Sequence, residues 1–135
     1  MSAPQRIPII NLYANLIVPI QGTIGDDAMA QLTDDVTRRI EGDCARGLVI
    51  DVSGVALMDS FITRNIRDLA LTARLMGVNT VLSGLAPAVA ITLVEMGLEI
   101  QGLQTTLNLE RALEHLAQLR EVETAELGGE AHDDA

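Results

Sequence analysis

Residues 47–69, "GLVIDVSGVALMDSFITRNIRDL", decide how this chain folds. The first eight form an apolar run broken by Asp51 and ended by Ser53 and Gly54, the pattern of a strand covered on both faces. Beyond Ser60 the period changes. Ile62, Ile66, Leu69, Ala73 and Met76 recur at spacings of four, three, four and three, which makes one stripe along an α-helix. "NTVLSGL", residues 79–85, then repeats the buried-strand pattern, so the economical reading is a parallel strand pair joined by a right-handed helical crossover.

Toward the N-terminus, "IPIINL" (7–12) and "LIVPIQG" (16–22) read as short strands separated by Tyr13, Ala14 and Asn15. They predict an antiparallel start to the sheet, with Pro19 tolerable only near an edge or at a bulge. Ile24, Ala28, Leu32, Val36 and Ile40 recur every fourth residue and predict an amphipathic helix, acids early and arginines late, as its dipole favours. Toward the C-terminus, "APAVAITLVEMG" (86–97) predicts a short helix with Pro87 in its first turn and Gly97 at its end. "LQTTLN" (103–108) is a weak last strand, and "NLERALEHLAQLR" (108–120) a final helix with Asn108 as its cap. The sum is an α/β domain over residues 1–120, with a mixed sheet of four to five strands and about four helices.

A chain of 135 residues that is 48% hydrophobic has room for one core and little more. Its net charge of −10 is uneven, because "EVETAELGGEAHDDA" (121–135) holds six acidic residues and no lysine or arginine. That stretch reads as an acidic, disordered tail outside the domain. An acidic protein is poorly suited to nucleic acid, whose binding depends on neutralising phosphates. Cys44 is the only cysteine, so neither an internal disulfide nor a CxxC metal site can form, which fits a reducing, cytoplasmic setting. No apolar stretch reaches the roughly 18 residues of a membrane span, and "MSAPQRIPII" lacks the order of a signal peptide.

Ser60 follows an acid at the point where strand gives way to helix. Asp59 and Ser60 both stand where an N-cap is wanted, since a short oxygen-bearing side chain there accepts from a free helical N–H. The same place suits a phosphoryl group, held by free N–H groups and the positive end of the dipole. A catalytic role finds no support. The two histidines are His115 and His132, no GxSxG elbow surrounds Ser60, and the chain has no lysine for a phosphate-binding loop. Asp51 has no acidic cluster beside it to hold a metal and reads as a loop anchor; neither metal nor cofactor is expected. The outward face of the helix after Ser60 carries Arg64, Asp68, Leu71 and Leu75 with Phe61 at its margin, more apolar than a solvated surface needs. The helix from Pro87 to Met96 has Glu95 as its only charge, so it too presents apolar surface for a partner.

These segments carry a resemblance. "GLVIDVSGVALMDSFITRNI" resembles the strand, loop and helix start of STAS domains, the fold of the anti-sigma factor antagonists, and the order of elements agrees over residues 5–120. "IPIINLYANLIVPIQ", "MDSF", "ARLMGVNTVLSGLAPAVAITLVEMGLE" and "TTLNLERALEHL" look closer still to the RsbS-type scaffold proteins of bacterial stressosomes. The resemblance implies a protein without enzyme activity that co-assembles with RsbR-type sensors and sequesters an RsbT-type serine kinase. It implies that the kinase phosphorylates Ser60 and is thereby released, and that an RsbX-like PP2C phosphatase resets the switch; Asp59 and the outward residues Phe61, Arg64, Asp68, Leu71 and Leu75 are then the expected partner-binding face. Thr92 matches a threonine phosphorylated in the sensor paralogues. Two other readings remain: a free-standing anti-sigma factor antagonist, and a small-molecule-binding domain with its pocket near "DVSG" and "LSGLAP".

Overall fold

The structure, a computed structural model, describes residues 6–22, 24–55, 58–95 and 103–133. Nine elements follow along the chain: β1 (Ile10–Leu12), β2 (Asn15–Gln21), α1 (Asp26–Asp43), β3 (Gly47–Gly54), α2 (Ser60–Leu75), β4 (Asn79–Ser83), α3 (Pro87–Glu95), β5 (Gln104–Thr106) and α4 (Leu109–Asp133). The five strands lie side by side in chain order. β1 pairs antiparallel with β2, and every later pair is parallel.

Consecutive parallel strands added in one direction through crossovers of one hand must put their helices on one face. That is the arrangement here. Leu16, Val18, Ile20, Leu48, Ile50, Val52 and Leu82 face a core closed by α1, α2 and α3. The alternate residues Ile17, Val49 and Val81 face the other way, onto Ala112 and Leu116 of α4. β3 thus has apolar cover on both faces, which its largely apolar run predicted.

Pro19 satisfies both conditions for a strand proline. β1 pairs with β2 only as far as Ile17, so Pro19 lies past the end of β1, and the β2–β3 register shifts between Pro19 and Gln21. The hairpin itself is unusual: Tyr13 and Ala14 hold φ of 52° and 66°, a left-handed turn normally given to Asn or Gly. Two donors brace it, Arg46 N–H to the Ala14 carbonyl at 2.8 Å and Arg120 to the Tyr13 carbonyl at 3.3 Å. Arg120 also donates to the buried Asn15 side chain, the first residue of β2 rather than part of the turn.

Three sequence expectations shift. In α1 the inward residues are Met29, Leu32, Val36 and Ile40, with Ala28 half-buried, and no arginine reaches the last turn. Arg39 sits one turn earlier and pairs with Asp43 at 2.8 Å. Met76 leaves the α2 stripe because it is the C-cap, where the chain turns out of the helix, and it is exposed. The final helix does not stop at Arg120: α4 continues through Asp133, across the stretch read as a disordered tail. Glu, Ala and Leu are strong helix formers, and nothing between Arg120 and Glu123 forces an end. The expected end of α3 at Met96 and Gly97 lies outside the described residues.

Candidate functional site

The loop leaving β3 is anchored by two buried apolar side chains, Val55 and Met58, and by a Val55 N–H bond to the Val52 carbonyl at 3.0 Å. This delivers Asp59 in extended geometry at the N-cap of α2. Its carboxylate accepts from the Ile62 N–H at 2.8 Å, and its carbonyl accepts from the Thr63 hydroxyl at 2.8 Å, with Thr63 buried. Asp59 is therefore the cap. Ser60 is the first helical residue, half-buried, and among the described residues its hydroxyl has no hydrogen-bond partner. The N–H groups of Ser60 and Phe61 fall outside the intrahelical ladder, as the first positions of any helix do.

The other candidates on α2 share one face. At about 100° per residue, Phe61, Arg64, Asp68, Leu71 and Leu75 fall within an arc of about 80°. Phe61 is 38% exposed, Leu71 45% and Leu75 90%. Arg64 is exposed and, among the described residues, in no ion pair, while Asp68 has Arg67 at 3.5 Å. The arrangement is an apolar strip with one free cation and one acid, beginning at the helix start that holds Ser60.

Thr92 occupies a different setting. It lies inside α3, half-buried, with its hydroxyl donating to the Ala88 carbonyl at 3.0 Å. α3 turns Val89 and Leu93 inward and leaves Ile91 and Val94 59% and 79% exposed.

Asp51 lies half-buried in the second half of β3, its carboxylate accepting from the Ser53 N–H at 3.0 Å near the strand's end, the role of a loop anchor. The segments "DVSG" and "LSGLAP" press together here. Gly84 holds φ +78°, and a Cβ on it would meet the Ser53 Cβ at 2.8 Å and an Asp51 carboxylate oxygen at 3.0 Å. A ligand pocket between them has no room at that point. Among the described residues no group of three or more His, Cys, Asp or Glu could hold a metal, and no helix is long and apolar enough to cross a membrane. Sequence reasoning did not single out Thr63, whose buried hydroxyl locks the entry to α2; its spacing of four from Asp59 was the available signal.

Comparison with known proteins agrees with this geometry. The sequence matches the STAS domain family over residues 5–112. A serine-to-glutamate variant of RsbS from Moorella thermoacetica superposes with a TM-score of 0.76 at 38% identity, covering 87% of this chain and 99% of that one. A chain from a structure described as the molecular architecture of the stressosome, a signal integration and transduction hub, gives 0.74 at 40% identity, covering 84% and 98%. RsbRC of Bacillus subtilis, named an RsbT co-antagonist protein, is 32% identical over 120 residues, which cover 85% of this chain and 41% of that protein. The chain thus spans less than half the length of such co-antagonists. A five-stranded sheet of this order, α1 to α3 on one face with α4 on the other, and a family match over most of its length place the chain in the STAS domain family, in the company of RsbS and stressosome proteins.

Proposed function

We propose that this chain is a non-enzymatic scaffold and regulator of a stressosome-type assembly, which holds an RsbT-like serine kinase and releases it when Ser60 is phosphorylated. The observation that carries this reading is the position of Ser60: first in α2, relieved of capping by Asp59, and at the head of an exposed strip of Phe61, Leu71 and Leu75. A phosphoryl group there brings a charge of about −1.5 to −2 beside the Asp59 carboxylate. Within the domain that charge is tolerated, because it sits at the positive end of α2 with unused N–H groups nearby. Against a docked partner it must be desolvated, and association weakens. The domain and its complex therefore respond with opposite sign to one modification, which is all a switch requires.

The relatives point the same way. One is named for antagonism of RsbT, one comes from a stressosome, and one is an RsbS altered from serine to glutamate. Asp59, Phe61, Arg64, Asp68, Leu71 and Leu75 form the kinase face in this reading. RsbR-like STAS proteins are the assembly partners, with the exposed Ile91 and Val94 of α3 available to them, and an RsbX-like PP2C phosphatase resets Ser60. Thr92 is a secondary candidate that must first give up its bond to Ala88.

The test is calorimetric affinity for an RsbT-like kinase, measured on the wild type, Ser60→Ala and Ser60→Asp, with circular dichroism to confirm folding. Ser60→Ala keeps the kinase bound, Ser60→Asp weakens binding, and mass spectrometry after incubation with kinase and ATP finds phosphate on Ser60. Equal affinities for all three proteins and no phosphate on Ser60 would sink the reading.

A further inference from the structure

Arg67 and Arg74 lie outside the α2 strip described above. They line a cleft of about 420 Å3 between α2 and α4, with His115 and Leu119 on the α4 side. β5 pairs with β4 from Val81 onward, and among the described residues Asn79 and Thr80, which line the cleft, pair only with β3. Two arginines of the lining have little use within the domain. Arg74 forms no ion pair among the described residues, and Arg67 has only a 3.5 Å contact with exposed Asp68, a kind of pair that contributes little.

We infer that this cleft binds a phosphomonoester with an apolar or aromatic body. Arg67 and Arg74 are seven residues apart, about 10 Å along the axis of α2, close enough for two long side chains to converge on one dianion. The guanidinium fork matches phosphate oxygens in pairs. Leu103 and Leu119 supply the apolar wall along which the body of the ligand lies. The volume falls within the range of roughly 300–1,000 Å3 typical of small-molecule sites. Glu123 reaches the neighbourhood only through a 3.4 Å bond from the Asn79 amide, a long contact that a phosphate oxygen replaces. Leu71 borders both this cleft and the exposed strip, so the two surfaces adjoin.

The probe is 1-naphthyl phosphate, followed by its own fluorescence against a protein with no tryptophan and one tyrosine. The full chain is titrated with it, with inorganic phosphate as competitor and 1-naphthol as the uncharged control. Saturable binding is expected, displaced by phosphate, at least tenfold tighter than for naphthol. Arg67→Gln with Arg74→Gln lowers affinity at least tenfold, whereas Arg38→Gln, on α1, leaves it unchanged. All substituted positions are exposed, and circular dichroism confirms folding. Absence of saturable binding up to millimolar probe, equal affinity in the double variant, or naphthol binding as tightly as its phosphate overturns the proposal. No kinase is present in this assay, so its outcome is independent of the switch at Ser60.

Discussion

Removing the Asp59 carboxylate takes away the acceptor of the Ile62 N–H at the start of α2. Asp59→Ala is therefore expected to cost about 0.5 to 2 kcal/mol of stability, the usual effect of losing an N-cap. Ser60→Ala, one position on, removes no cap and should stay within about 0.5 kcal/mol of the wild type. Urea unfolding of both variants checks this, and a larger loss for Ser60→Ala than for Asp59→Ala would return the cap to Ser60. Two other carboxylates give the domain an acid-sensitive component. Asp35 is held below its ordinary value chiefly by the hydrogen bond from Arg6, and Asp43 chiefly by that from Arg39. A depressed carboxylate stabilises the fold above its unfolded pKa of about 3.9, and that contribution disappears as pH falls through the folded value. Replacing both by Asn should flatten the decline of the urea midpoint below about pH 4. An unchanged slope would show that other groups govern acid unfolding.

Contacts between elements decide how closely α4 lies on the sheet. Gly47 opens β3, and a Cβ there would collide with the Asn15 side-chain oxygen and meet Leu116 Cδ1 at 2.9 Å. Gly47→Ala should cost about 1 to 3 kcal/mol through overpacking, read as a fall in melting temperature, and a neutral outcome would mean that α4 can shift outward. The exposed side of α3 makes a different demand. Ile91 and Val94 support no core contact of the domain, so Ile91→Asp with Val94→Asp should leave the melting temperature nearly unchanged while reducing association with STAS paralogues. Light scattering of wild type and variant mixed with an RsbR-like protein compares the two. Particles of equal size would remove α3 from the interface.

At the scale of the whole molecule, the segment beyond Arg120 reads in the sequence as an acidic tail and runs in the structure as helix through Asp133. Among the described residues, neither core cluster reaches beyond Leu119. We therefore propose that residues 121–135 lie outside the folding unit. Their removal takes away the long hydrogen bond from Asn79 to Glu123 and should lower the melting temperature by no more than a few degrees. A larger fall would make the end of α4 a structural part of the domain. Assembly size separates the scaffold reading from a free-standing antagonist: large particles form with an RsbR-like partner in the first case, and a strictly monomeric mixture at micromolar concentration speaks for the second.

The element order, the antiparallel start and the buried run of β3 were legible because each depends on local periodicity, which neighbouring residues set among themselves. The outward apolar residues of α2, Leu71 and Leu75, were legible for the same reason, whereas α3 is apolar on nearly every side and only packing decides that Val89 and Leu93 turn inward and Ile91 and Val94 outward. Other features depended on groups far apart in the chain. That Asp59 rather than Ser60 caps α2 follows from where the fold places its carboxylate, 2.8 Å from the Ile62 nitrogen. That α1, α2 and α3 share one face follows from the strand order, and the left-handed Tyr13–Ala14 turn is held by Arg120 from the far end of the chain. The cleft at Arg67 and Arg74 draws its lining from α2, β4, β5 and α4, elements far apart in the chain. Periodicity fixes which side of an element is apolar, whereas caps, turns and clefts are set by which distant groups the fold brings within hydrogen-bonding distance.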